Sequence, residues 1–144
     1  MLKQLAVFVE NQSGSLRKVT MALHEKNVNI YAFASFDTPE FGILRMLVDH
    51  PEQAKEALTS QGFVTKICDV IAVELPDEQG GLDSLLAALH DSNISINYTY
   101  SSFGRMSKIP AVVIHTDEVY ETENVLRSKG FSCMDSFTES ADQE

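Results

Sequence analysis

Residues Asn11-Gln12-Ser13-Gly14-Ser15-Leu16 form a polar turn between an apolar run and a helical pattern, and their types suit the holding of a small anion. The first N–H groups of a helix have no partner within it, and they carry the positive end of its dipole. Gly14 lets a ligand approach the backbone closely, and the amides of Ser15 and Leu16 are the expected donors to a carboxylate. Asn11 can accept from an ammonium or donate to a carboxylate. A purely local role stands beside this one: Asn11 and Ser13 can cap the turn, with Ser13 or Ser15 as N-cap of the helix.

The turn occurs twice. Leu82 to Ile96 repeats Leu16 to Ile30 at an offset of 82 − 16 = 66, so that Gly80-Gly81-Leu82 stands where Gly14-Ser15-Leu16 stood, and His90, Asn93 and Ile96 match His24, Asn27 and Ile30. The copies differ in charge. Asp77 replaces Asn11, flanked by Pro76 and Glu78, and a negative group beside a bound carboxylate is unfavourable unless the ligand's cation is nearer. Tyr98 and Tyr100 fill the positions of Ala32 and Ala34, where they can stack on a ligand or pack in an interface. Arg45, inside an apolar strand, either clamps a carboxylate or lies on an exposed sheet face beside an acidic neighbour. His24 and His90 suit the carboxyl ends of their helices, and His50 and His115 receive no ligand role.

These residues need a scaffold, which the apolar spacing supplies. Leu2 to Val9 reads as a strand; Ser15 to Lys26 as an amphipathic helix burying Leu16, Val19 and Leu23; Ile30 to Phe36 and Phe41 to Val48 as a hairpin. Pro51 to Gln61 follows as a helix, with Pro51 in its first turn and Gly62 after it, and then a strand from Phe63 to Cys68. The second half repeats the order βαββαβ with no linker. Val70 to Leu75 is a strand, and Leu82, Leu85, Leu86 and Leu89 form a helical stripe. Ile96 to Phe103 and Ile109 to His115 form a hairpin, and Asp117, as cap, opens a helix to Ser128. Gly130-Phe131 then repeats Gly62-Phe63 at an offset of 130 − 62 = 68. The domains expected are 1–69 and 70–137, followed by an acidic, unstructured tail over 138–144. Units of about 70 residues sit near the lower size limit for a self-sufficient core. The fold class is therefore α+β: two ferredoxin-like units, helices on one face, paired edge to edge into one extended antiparallel sheet.

Composition narrows the function. The chain has 144 residues, 44% hydrophobic and 22% charged, a globular balance. Its formal charge of −10 argues against a nucleic-acid surface, which needs clustered cations. There is no run of roughly 18 apolar residues for a membrane helix and no signal peptide, so the expected location is cytoplasmic. Cys68 and Cys133 lie in apolar segments without metal or CxxC spacing and read as buried thiols. No triad, paired-carboxylate or phosphate-loop spacing nominates an enzyme, and no cofactor or metal is expected.

The paired turns, Asn11-Gln12-Ser13-Gly14-Ser15-Leu16 and Asp77-Glu78-Gln79-Gly80-Gly81-Leu82, resemble the N/D-x-x-G-x-L pattern of tandem ACT domains across nearly the whole chain. Asn27-Val28-Asn29-Ile30 is similar to the family's G-V-N-I approach to the second strand, and Phe41-Gly42-Ile43-Leu44-Arg45 resembles stand-alone members. The resemblance implies a non-catalytic regulatory or sensor module, expected as a homodimer. It would bind a free amino acid between the first turn of one unit and the second strand of a neighbour, with Asn29 or Ile30 closing the site. Ligand contacts are then expected from Asn11, Ser13, Gly14, Ser15, Leu16, Asn29 and Ile30, and in the second copy from Asp77, Gly80, Gly81, Leu82, Tyr98 and Tyr100. The other reading is a ligand-independent interaction module, or a regulatory subunit of an amino-acid biosynthetic enzyme. Acylphosphatases and metal chaperones share the βαββαβ plan, but the turn lacks the arginine of the first and the CxxC of the second.

Overall fold

The computed structural model describes residues 1–10, 12–37, 41–75, 79–102 and 110–136. Asn11, Asp77 and the tail expected over 138–144 lie outside the described residues. Two compact units divide the chain: an N-terminal unit, Lys3–Cys68, and a C-terminal unit, Asp69–Glu144 with Met1–Leu2.

In the N-terminal unit the elements are β1 (Leu2–Glu10), α1 (Ser15–Glu25), β2 (Ile30–Asp37), β3 (Phe41–Val48) and α2 (Pro51–Ser60), followed by the first half of β4 (Val64–Glu74). β3 pairs antiparallel with both β1 and β2, in a register that sets Val7 against Leu44 and Glu10 against Phe41. Side chains alternate across a strand, so Leu5, Val7 and Val9 share a face with Leu44, Met46 and Val48. Val19, Ala22 and Leu23 of α1 and Ala54 and Leu58 of α2 close over that face. Leu16 does not join them. It is 44% exposed, and the buried stripe of α1 runs through Val19, Ala22 and Leu23 instead.

The strands expected over Phe63 to Cys68 and Val70 to Leu75 are one eleven-residue strand, β4 (Val64–Glu74), which leaves out Phe63 and Leu75, ends one repeat and begins the next. The C-terminal unit continues with α3 (Gly81–Asp91), β5 (Tyr98–Ser101), β6 (Ala111–His115), α4 (Val119–Ser128) and the short β7 (Ser132–Cys133). β6 pairs antiparallel with β4 and β5, and β7 pairs with β4. Ile71, Val73 and Ile114 pack beneath Leu85, Leu89 and Leu126. Of the expected leucine stripe only Leu85 and Leu89 are buried. Leu82 is 52% and Leu86 41% exposed, because the four leucines spread around the helix more widely than the narrow seam that meets the sheet.

The four helices among the described residues end in the same way. The residue after the cap turns left-handed at Asn27, Gly62, Asn93 and Gly130 and donates to a carbonyl three residues back, and the next N–H reaches five back, as Val28 to Leu23 and Ile94 to Leu89. This double closure satisfies helix carbonyls that would otherwise be left without a donor.

Candidate functional site

The starts of α1 and α3 differ from the serine cap expected. The N-cap of α1 is Gly14, left-handed at φ 85°, which as a glycine has no side chain to bond to the helix start. The N-cap of α3 is Gly80, at φ 90°, also without a side-chain cap. A left-handed conformation costs a residue with a Cβ about 1–2 kcal/mol, so glycine is the residue that permits this turn. Ser13 precedes the cap and is exposed, and Ser15 is already inside the helix. The start of α4 also departs from expectation: its N-cap is Glu118, while Asp117 accepts a hydrogen bond from the Asn97 side-chain amide at 2.9 Å.

The backbone of the first turn is closed by its own bonds. Gln12 N–H donates to the Glu10 carbonyl at 2.8 Å, and Ser15 N–H donates to the Gln12 carbonyl at 3.2 Å. Ser15 has therefore spent the amide assigned to a ligand. Among the described residues, the N–H groups of Leu16 and Arg17 have no acceptor, and these are the donors the helix start presents. Exposed Leu16 stands beside them.

Two cavities flank this turn inside the N-terminal unit. One, about 220 Å³, lies between the turn and the far end of the hairpin, lined by Gln12, Ser15, Leu16, Ser35 and Gly42. The other, about 430 Å³, opens towards the α2–β4 connection and is lined by Phe8, Glu10, Lys18, Phe41 and Phe63 among others. The matching place in the C-terminal unit holds a cavity of about 280 Å³, lined by Glu74, Gly80, Gly81, Ser84 and Phe131.

The structure brings Ser13, Gly14, Ser15 and Leu16 together at one helix start and Gly80, Gly81 and Leu82 at the other. It does not bring Asn29 and Ile30 to the turn of their own unit. Ile30 opposes Val48, whereas the end of the sheet beside the turn pairs Glu10 with Phe41 and Asp37 with Gly42. Six residues of strand at roughly 3.3 Å each separate Ile30 from Phe36, about 20 Å. Asn29 is also engaged locally, since its backbone N–H and its side-chain amide donate to the two oxygens of Asp49, at 2.9 and 3.0 Å. Ile30 is half-buried against the core. Tyr98 lies flat on His115, ring centroids 4.8 Å apart and 3° from parallel, and half-buried Tyr100 opposes Val113. The Arg45 guanidinium sits 5.0 Å above the Phe36 ring, a cation–π contact within its own hairpin.

Sequence reasoning missed Glu10, Lys18, Phe8, Phe41 and Phe63 as lining residues. Lys18 carried a usable signal, lying one helical turn after Gly14. Phe41 and Phe63 did not, because only strand register and the α2–β4 turn place them there. No helix among the described residues is long and apolar enough to cross a membrane.

The family model of the ACT domain pair matches residues 1–138. The chain belongs to the ACT domain pair family. A comparison with curated proteins finds no match. Among solved structures, a protein from Bacteroides thetaiotaomicron is 33% identical, with a TM-score of 0.84 over 92% of this chain and 91% of that one. The ligand-free regulatory subunit of aspartate kinase from Thermus thermophilus shares the fold at 15% identity, with a TM-score of 0.63 over 89% of this chain and 92% of that one. The corresponding subunit from Thermus flavus does so at 15% identity and a TM-score of 0.60, over 88% and 90% of the two chains. ACT domains are typically amino-acid-binding regulatory modules, and the ACT pair is a regulatory fold.

Proposed function

We propose that this ACT pair is a non-catalytic, cytoplasmic regulatory protein that binds a free amino acid at the start of α1. The observation that carries the reading is the uncapped helix start at Gly14, whose Leu16 and Arg17 N–H groups have no acceptor among the described residues, with Leu16 lining an open cavity of about 220 Å³. A ligand carboxylate would take those two amides, with Asn11 as its polar neighbour in the turn. Asn29 and Ile30, remote from their own turn, would serve the turn of a second copy, which makes the active form a homodimer.

A thermal-shift screen over the free amino acids at millimolar concentration tests this. A ligand present at 100 times its Kd adds about 2.7 kcal/mol of stability, an easily measured rise in midpoint. Asn11→Ala should abolish the rise while leaving the ligand-free midpoint near that of the parent. Silence from every amino acid would remove the proposal.

A further inference from the structure

The smaller cavity beside the Gly14 turn is lined by groups that share one side of the sheet. Val9 opposes Gly42, and Ser35 opposes Leu44. Val9 and Leu44 belong to the core that α1 covers, and side chains alternate along a strand, so Gly42 and Ser35 lie on that same face. Ser15 and Leu16, at the start of α1, bound the cavity from the helix side. Leu16, whose amide is unclaimed, lines this cavity and not the larger one.

Among the described residues the lining is polar without being charged. The side chains of Gln12, Ser15 and Ser35 have no hydrogen-bond partner there. Glu10 also lines the cavity, but it opposes Phe41, and alternation turns its carboxylate to the other face, leaving its main chain here. Hydroxyl and amide groups can serve the carboxylate and ammonium of an amino acid, yet none of them can neutralise a charged ligand side chain, which is costly to bury unpaired. Size sets a second limit. A cavity of about 150 Å³ holds the six carbons of benzene, roughly 25 Å³ for each, so one of about 220 Å³ holds about nine non-hydrogen atoms. That admits glycine, alanine, serine or threonine and leaves no room for the ring of phenylalanine.

The C-terminal unit has less room and less polarity at the same place. At the repeat offset of 66, Leu75 stands for Val9, Gly81 for Ser15 and Ser101 for Ser35. The Leu75 N–H donates to the Pro110 carbonyl at 2.8 Å, which continues the register of Glu74 against Ala111 and sets Pro110 where Gly42 stands. A pyrrolidine ring therefore takes the position that has no side chain in the first unit, leucine replaces valine, and the Ser15 hydroxyl is missing.

We propose that the cavity between the start of α1 and the β2–β3 hairpin takes a small, uncharged amino acid, one per chain, with Gly42 and Ser35 setting the size it accepts. This rests on the amino-acid-binding reading of the preceding section, to which it adds the class of side chain, the residues that select it and the number of sites. The carboxylate bonds to the Leu16 amide and the Ser15 hydroxyl, the ammonium to the Gln12 side-chain oxygen, and the side chain ends against Gly42 and Ser35.

Isothermal titration of the full chain tests this with glycine, L-alanine, L-serine and L-threonine against L-phenylalanine, L-leucine, L-lysine and L-aspartate. The expected result is that one of the first four binds at one site per chain, about tenfold or more tighter than any of the second four. Ser35→Leu, which fills the cavity from an exposed strand position, should weaken that binding about tenfold or more while leaving the ligand-free melting midpoint near that of the parent. Gly42→Ala, in the extended strand β3, should weaken serine binding more than glycine binding. Ser101→Leu should leave binding unchanged. Three results overturn the proposal while leaving amino-acid binding intact: a large or charged amino acid binding as tightly as the best small one, two equivalent sites per chain, or affinity untouched by both Ser35→Leu and Gly42→Ala. Absence of binding by every amino acid overturns both readings together.

Discussion

The helices α1 and α3 begin on the same backbone and face different surroundings. Each is led by a left-handed glycine without a side-chain cap, at φ 85° for Gly14 and 90° for Gly80, and each ends on a left-handed asparagine that closes the last turn. Around the first start the chain places Lys18, Phe8 and Phe41; around the second, Ser84 and Glu74. The backbone of the repeat is therefore dictated by a handful of glycines, asparagines and buried leucines, while the chemistry at each turn is set by side chains the backbone does not need. A duplicated fold can keep one half as a binding surface and the other as scaffold.

If the halves are structurally alike, equivalent core positions should cost alike, and this is where the largest effects lie. Leu23 and Leu89, matched by the repeat, are 0% and 1% exposed in the centres of their respective cores. Leu23→Ala and Leu89→Ala should each destabilise by about 2–5 kcal/mol, the range for removing a buried leucine and leaving a cavity. Urea unfolding followed by circular dichroism measures both. Costs differing by more than about 2 kcal/mol would show that one core collapses around its void and the other does not, and would break the structural half of the comparison.

The next effect separates backbone from chemistry. Space is open around both Gly14 and Gly80, with nothing within 4 Å of an added Cβ, so substitution is opposed by conformation alone. Gly14→Ala and Gly80→Ala should each cost about 1–2 kcal/mol of stability. Only Gly14→Ala should also reduce amino-acid affinity, since only that turn fronts the cavity assigned to the ligand. Equal losses of affinity in the two variants, measured by titration, would make the turns equivalent as sites.

The sequence carried the scaffold more fully than the site. Hydrophobic periodicity located the four helices of the described residues because each buries a seam of two or three residues, and the repeat supported each through its partner. Strand ends were less legible: β5 covers only Tyr98–Ser101 within the run from Ile96 to Phe103. The continuity of β4 was visible as two apolar runs separated by one residue, Asp69. Helix caps misled because serine propensity points to Ser13 or Ser15, while the turn is closed by its own main chain and governed by Gly14. The local partner of Asn29 was hidden in the same way. The position of Asn29 just before β2 is visible in the sequence, but its partner Asp49 lies 20 residues on, across a hairpin register that no local pattern displays. The aromatic lining of the larger cavity was invisible for the same cause, since Phe8, Phe41 and Phe63 are brought to it only by strand pairing and a turn.

The smallest expected effect distinguishes the two cysteines, one in each unit. Cys133 is 7% exposed on β7, and burial pushes its thiol up from the ordinary value, against the pull of the neighbouring Arg127 guanidinium. Arg127 is held there by hydrogen bonds to the Cys133 carbonyl at 3.1 Å and to Asp135 at 3.0 Å. Cys68 is half-buried, with the Gln4 amide 3.3 Å from its sulfur. The thiolate is the reactive form, so iodoacetamide at pH 8 should modify native Cys133 several-fold more slowly than Cys68, the two rates converging in denaturant. The same shift gives a pH dependence with a definite sign. The folded chain keeps the Cys133 proton to higher pH than the unfolded chain, so the associated stability is complete below about pH 8.5, the usual cysteine value, and declines as pH rises through the folded value. Cys133→Ala should flatten that decline, measured as melting midpoint from pH 7 to 10. A steeper decline in Cys133→Ala would mean that the buried thiol is not the group whose proton the fold retains.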